Sequence, residues 1–267
     1  MKKYLSFFKI RFINSLQYRA AAFGGIFTQF AWGFMEILLY SAFYNADPAA
    51  FPMEFSQLAS YVWLKEAFLA MFATYYFDNE IFDAIMSGNI AYELARPVNL
   101  YDLWFVKNLA LRYSRAVLRC IPILFVAVLL PKPYGLSAPA SPDAFLVFLI
   151  TLLLASFVLV SFLMFLYISA FYTINVKGMR MIVTSAAEFL TGAIIPLPFF
   201  PPSLRKIVEL TPFAAMENLP FRIYSGNITG TALWNRVLLQ ILWLILLTVL
   251  GKAAMRQALR RVIVQGG

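Results

Sequence analysis

The chain has no histidine and a single cysteine, Cys120, in 267 residues. An intrachain disulfide is thereby excluded. So are metal sites built from His and Cys, and any chemistry that needs a histidine base. Charge is scarce as well. Asp, Glu, Lys and Arg make up 13% of the residues, against 62% hydrophobic, and the mean hydropathy is +0.75. Soluble domains average about a quarter charged and about half apolar. A chain of this composition cannot hide its apolar surface from water and belongs in a bilayer. No Gly-x-x-x-x-Gly-Lys-[Ser/Thr] phosphate loop occurs, so nucleotide hydrolysis by that device is excluded too.

What is abundant agrees. Phe (27) and Tyr (14) suit surfaces that meet lipid and headgroups. The formal charge of +9 comes with no basic-aromatic surface module. It reads as cytoplasmic loops facing anionic lipid, with no nucleic-acid partner. The expected fold is an all-α membrane protein, one transmembrane domain over 1–267.

Residues 2–18 read as an interfacial amphipathic helix. Leu5, Phe8, Phe12 and Leu16 share one face, and Lys2, Lys3, Ser6, Lys9, Asn14 and Gln17 fall mostly on the other. A secretory leader is not expected, since Lys9, Arg11 and Arg19 interrupt any apolar core. Six spans follow: 20–44, 57–77, a third that includes 121–130, 144–174, 180–195 and 231–251, with a short turn at 175–179 between the fourth and fifth. Lys132, Arg205, Lys206, Arg222 and Arg236 lie on outer segments, and Lys65 lies inside a span. The rest of the 22 basic residues fall inside if the N-terminus is cytoplasmic. Both termini are then expected in the cytoplasm.

Two stretches carry functional information. In 78–104, Asp78 can cap a short helix, Gly88 can end it and Pro97 prevents simple continuation. In 192–226, Pro196, Pro198, Pro201, Pro202, Pro212 and Pro220 forbid a continuous span, yet the segment is too apolar for an ordinary outer loop. Irregular backbone at membrane depth must be covered by protein or line a cavity. A re-entrant helical hairpin over about 196–230 satisfies both conditions.

The order Gly-Ala-Ile-Ile-Pro, Phe-Pro, Leu, then Pro and Arg before Tyr-Ser-Gly resembles the segment before the last span of ABC-2 type permeases. Residues 87–98, SGNIAYELARPV, and the amphipathic start are similar to the same family, in a bacterial branch that pairs two different permeases with one ATPase. The resemblance implies a connecting helix at the inner surface and a coupling helix in the 78–100 loop. It also implies a hairpin that closes the outer side of the path. The coupling helix would lie over about 78–96, with Ile85, Met86, Ser87 and Asn89 near its tip, Asp83, Asn89 and Glu93 as a polar rim, and Arg96 at its end. Pro196, Phe199, Phe200 and Pro212 would form the outer gate. The implied partners are an ABC ATPase in two copies, carrying ATP and Mg, and a second permease, a different chain or a copy of this one. This chain is expected to bind no cofactor or metal and to have no catalytic residue. The implied location is the bacterial inner membrane, and the implied role is export. A polytopic enzyme acting on a lipid-linked substrate and a proton-coupled carrier are the alternatives.

Ionisable groups inside spans are costly and often functional. Glu36, Lys65, Glu66 and Glu188 qualify, as translocation-path groups or as buried charges. Glu36 lies eight positions before the end of its span and Lys65 eight after the start of the next, so the two match in depth and can pair. Glu188 stands alone in the fifth span. Arg112, Arg115 and Arg119 form one helical stripe, expected to meet lipid phosphates or carboxylates of the 78–100 loop. Cys120 reads as a small apolar filler, and Gly24 and Gly25 as places where helices approach closely.

Overall fold

The computed structural model describes residues 2–17, 19–173 and 176–261, and these form helices joined by turns, with no strand among them. Eleven α-helices follow in chain order: α1 (Lys2–Ser15), α2 (Arg19–Ala46), α3 (Phe55–Phe72), α4 (Asn79–Met86), α5 (Ile90–Leu94), α6 (Leu100–Leu129), α7 (Pro142–Ser169), α8 (Val176–Thr191), α9 (Pro202–Val208), α10 (Asn218–Tyr224) and α11 (Gly230–Leu259).

Local sequence sets many of the ends. Asn99 caps α6 by accepting from the Asp102 amide at 3.2 Å. Ser141 caps α7 by accepting from the Ala144 amide at 3.0 Å, with Pro142 in the first turn. Gly192 follows α8 with φ +87°, a left-handed conformation that stops a helix at little cost to glycine.

Among the described residues, three helical segments are long and apolar enough to cross a membrane: Phe23–Ala46, Pro142–Ser169 and Gly230–Leu259. The other three expected spans are also helical but fall short of that measure. The 18 residues of α3 and the 16 of α8 reach about 27 and 24 Å, less than a hydrocarbon core of ~30 Å. The first half of α6 carries Lys107, Arg112, Arg115 and Arg119.

Boundaries also shift. The second span, expected to run to 77, stops as a helix at Phe72. The freed carbonyls of Met71, Ala73 and Tyr76 accept from the Arg112 guanidinium at 2.8, 3.0 and 2.6 Å. The turn expected at 175–179 is helical from Val176 onward, and residues 174–175 lie outside the described ones. At the other end, α11 runs to Leu259, past the expected 251.

The core lies around α3, the most buried long helix, which packs closely on α6. A second packing centre joins α7 to α10 and α11. Tyr61, Phe68 and Phe72 of α3 meet Phe221 of α10 and join the two, with ring centroids 5.6, 6.3 and 5.8 Å apart. The first helix lies along α6, with Phe8 against Tyr113 at 6.2 Å. On its expected apolar face Phe8, Phe12 and Leu16 are partly buried and Leu5 is exposed, and Ile10 and Ile13 elsewhere on the helix are exposed too.

Candidate functional site

The inner loop is built from two short helices. Asp78 caps α4, its Oδ1 accepting from the Glu80 amide at 3.1 Å. Ile81 and Phe82 point into the core, and Gly88 (φ +78°) reverses the chain before α5. Four other helices then hold the loop. Lys107 of α6 ion-pairs with Asp78 at 2.9 Å and Glu80 at 2.8 Å. Arg11 of α1 reaches Glu80 at 3.4 Å. The Tyr167 hydroxyl of α7 accepts from the Asp78 amide at 2.8 Å and donates to Asn108 at 2.9 Å. Arg180 of α8 lies over the Phe77 and Phe82 rings at 4.1 and 4.5 Å and donates to Asn79. The hydrogen bond and charge of Lys107, helped by Arg11, hold the Glu80 carboxyl below its ordinary range.

The residues expected at the tip divide between outside and inside. Asp83, Met86, Ser87, Asn89 and Arg96 are exposed. Ile85 instead packs against the main core, and Glu93 accepts from the Trp104 indole at 2.6 Å. Tyr92, 75% exposed, joins Met86, 64% exposed, on the open surface. Sequence reasoning passed over Tyr92. Its signal was the spacing of three residues from Asn89, which puts both on one turn of surface.

Charges gather between α2 and α3. Lys65 donates to Glu36 and lies 3.6 Å from Glu66 Oε1. Close approach allows this. A Cβ on Gly33 would sit 2.9 Å from Trp63 and 3.3 Å from Glu66. Gln29 donates to the Glu66 carbonyl at 2.9 Å. Glu217, which sequence reasoning did not single out, is buried and accepts from Thr191 at 3.1 Å. Glu188 is half-buried beside Thr74.

The three arginines of α6 behave differently from one another. Arg112 is buried and serves backbone carbonyls, so it meets neither lipid nor loop carboxylate. Buried carbonyls left by an early helix end need a donor, and this guanidinium supplies several. Arg115 lies 5.5 Å over the Tyr76 ring. Arg119 lies against Gly25, where a Cβ would come within 2.5 Å of the guanidinium carbon. Gly24 faces open space.

At the other end, Pro196 and Phe200 are buried while Phe199 and Pro212 are partly so. Phe199 contacts Tyr40 and Phe51, each with centroids 5.3 Å apart. Phe200 stacks on Phe189 of α8 at 4.9 Å. Glu209, between α9 and α10, accepts from Arg222 at 2.8 Å and from Arg236 of α11 at 2.5 Å. Gln240 of α11 donates to Thr151 and Ala215 carbonyls at 3.1 and 2.8 Å.

Long apolar helices with charges held between them describe a helical membrane protein. The chain belongs to the ABC-2 family transporter proteins, whose family model matches residues 30–266. Membership implies a permease, a transport component of a family associated with ABC ATPases. No curated protein matches it.

Proposed function

We propose that the chain is the membrane subunit of an ATP-driven exporter and receives the ATPase through the 78–100 loop. One observation carries this reading. The loop is tied to α1, α6, α7 and α8 by ion pairs, hydrogen bonds and ring contacts, while Met86 and Tyr92 project unburied from it. A braced element with an exposed apolar tip and the polar Asp83, Ser87, Asn89 and Arg96 around it has the makeup of an interface centre and rim. Force applied there reaches four helices at once. Nucleotide-driven closure of the partner would then shift the balance between two states of the membrane domain.

In this reading α2, α3, α6, α7, α8 and α11 are six spans of a bacterial inner-membrane protein with both termini in the cytoplasm. The shorter spans gain from neighbours that shield them from lipid. The segment from Pro196 to α10 is a re-entrant hairpin. Pro196, Phe199, Phe200 and Pro212 close the outer side of the path. ATP and Mg reside on two copies of the ATPase, and a second permease of different sequence completes the path.

The test replaces Met86 and Tyr92 by Asp in the chain co-expressed with its ATPase. Membrane insertion is expected to persist while co-purification of the ATPase and substrate-stimulated hydrolysis both fall at least tenfold. Unchanged co-purification and hydrolysis with a folded variant would overturn the coupling role of this loop.

A further inference from the structure

A crevice of about 780 Å³ opens between α1, the inner loop and α6. Its two ends differ in charge. Toward the loop, Lys107 and Arg11 are already engaged by Asp78 and Glu80. Farther along α6, Arg115 and Arg119 line the same crevice, and among the described residues neither has a carboxylate within ion-pair distance. They are four residues apart on one helix face, so two like charges stand together at the edge of the apolar run that begins at Ile121. Asn14 and Ser15 of α1 add polar atoms to the opposite wall.

The crevice lining holds four cations and three carboxylates, Asp83 among them; with Lys107 and Arg11 paired at the loop end, Arg115 and Arg119, which make no ion pair among the described residues, favour an anion at theirs. Arginine forks match phosphate oxygens in pairs. We propose that this crevice binds the phosphodiester headgroup of an anionic phospholipid. The location decides between lipid and a dissolved phosphate. Phe23 of α2 and Ile121 of α6 are exposed within two residues of Gly25 and Arg119, which themselves touch. They offer an apolar surface for acyl chains beside the charged crevice. Basic side chains at the end of an apolar run meet headgroups at that depth. The volume lies within the range of ordinary ligand sites. The bound lipid would bridge α1 and α6 and fill the space that the protein leaves open. The proposal rests on the membrane reading of α2 and α6, but not on the ATPase assignment.

The test uses the full chain purified in detergent, with phosphatidylglycerol and phosphatidylcholine of matched acyl chains. Native mass spectrometry and thermal unfolding read the outcome. The intact protein should retain phosphatidylglycerol about tenfold more strongly than phosphatidylcholine and should be stabilised by it. Arg115→Gln with Arg119→Gln should abolish the preference, while Arg115→Lys with Arg119→Lys should keep part of it. Arg205→Gln with Lys206→Gln removes the same charge from α9 and should leave the preference intact. Inorganic phosphate at millimolar concentration should not displace the lipid. No preference in the unaltered protein would overturn the proposal even if the glutamine variant failed to fold. So would equal losses in the α6 and α9 variants. Displacement by inorganic phosphate would reassign the site to a soluble anion and overturn the lipid assignment.

Discussion

The inner loop and the outer segment are both pairs of short helices set between long ones, and they are stabilised in opposite ways. The inner pair, α4 and α5, is held at its base by Lys107, Arg11, Tyr167 and Arg180 and leaves Met86 and Tyr92 uncovered. The outer pair, α9 and α10, is gripped through Glu209, which takes both Arg222 and Arg236. All of α10 except Arg222 is buried. The Glu80 pairing is solvated and can be remodelled by a partner at small cost, while Lys107 keeps a buried pair with Asp78. A buried ion pair cannot lose one member without stranding the other. The contrast teaches where movement enters the molecule and where it is resisted.

The largest expected effect is at the outer segment. Glu209→Ala leaves Arg222 and Arg236 without their counterion and should cost about 3 kcal/mol, read as a fall in unfolding midpoint. Adding Arg222→Met should recover part of that loss. The inner counterpart, Glu80→Ala, should cost less, about 0–1 kcal/mol, because Glu80 is solvated and Lys107 keeps its buried pair with Asp78. If the inner variant is the more damaging, the contrast between the two regions fails. Met86→Asp with Tyr92→Asp should change stability by no more than about 0.5 kcal/mol, as surface substitutions do. A larger loss by the same unfolding measurement would mean that these side chains are part of the fold and are not open to a partner.

The sequence made the architecture legible where one residue type decides the structure. Asp78 capped a helix, Gly88 turned the chain, and counting from helix ends set Glu36 beside Lys65, whereas the span expected over 180–195 ends at Thr191, before Gly192. It gave less where a distant partner decides. Nothing near Arg112 in sequence announces that α3 ends at Phe72 and that its carbonyls need a donor. The helical periodicity put Arg112, Arg115 and Arg119 on one face but could not tell a buried carbonyl clamp from a crevice lining. Ile85 and Met86 are adjacent and equally apolar, yet one packs inward and the other does not. That choice depends on where α4 sits against the core. Glu217 follows a run of apolar residues and gave no sign of the Thr191 hydroxyl that meets it.

The smallest expected effect concerns pH at the inner loop. Glu80 is held below its ordinary value of 4.5 first by the hydrogen bond from Lys107, then by the charges of Lys107 and Arg11. A carboxyl depressed on folding contributes stability that is fully present above the unfolded value and is lost as pH falls through the folded one. The difference in stability between the unaltered chain and Glu80→Gln should therefore be constant from pH 7 down to about pH 5. It should shrink toward zero below the ordinary glutamate range of about 4.3. The same difference measured in a Lys107→Met background should be smaller at pH 7, because the first-ranked partner is gone. Salt should reduce it as well, since the Glu80 side chain is largely solvated and its pairing is screened. Parallel pH profiles for the unaltered chain and Glu80→Gln, with no convergence on acidification, would show that the Glu80 pairing does not hold the loop and that the buried Ile81 and Phe82 and the buried Asp78–Lys107 pair do. The inner pair would then be anchored as the outer one is, by burial, and the difference between the two ends would reduce to exposure of Met86 and Tyr92.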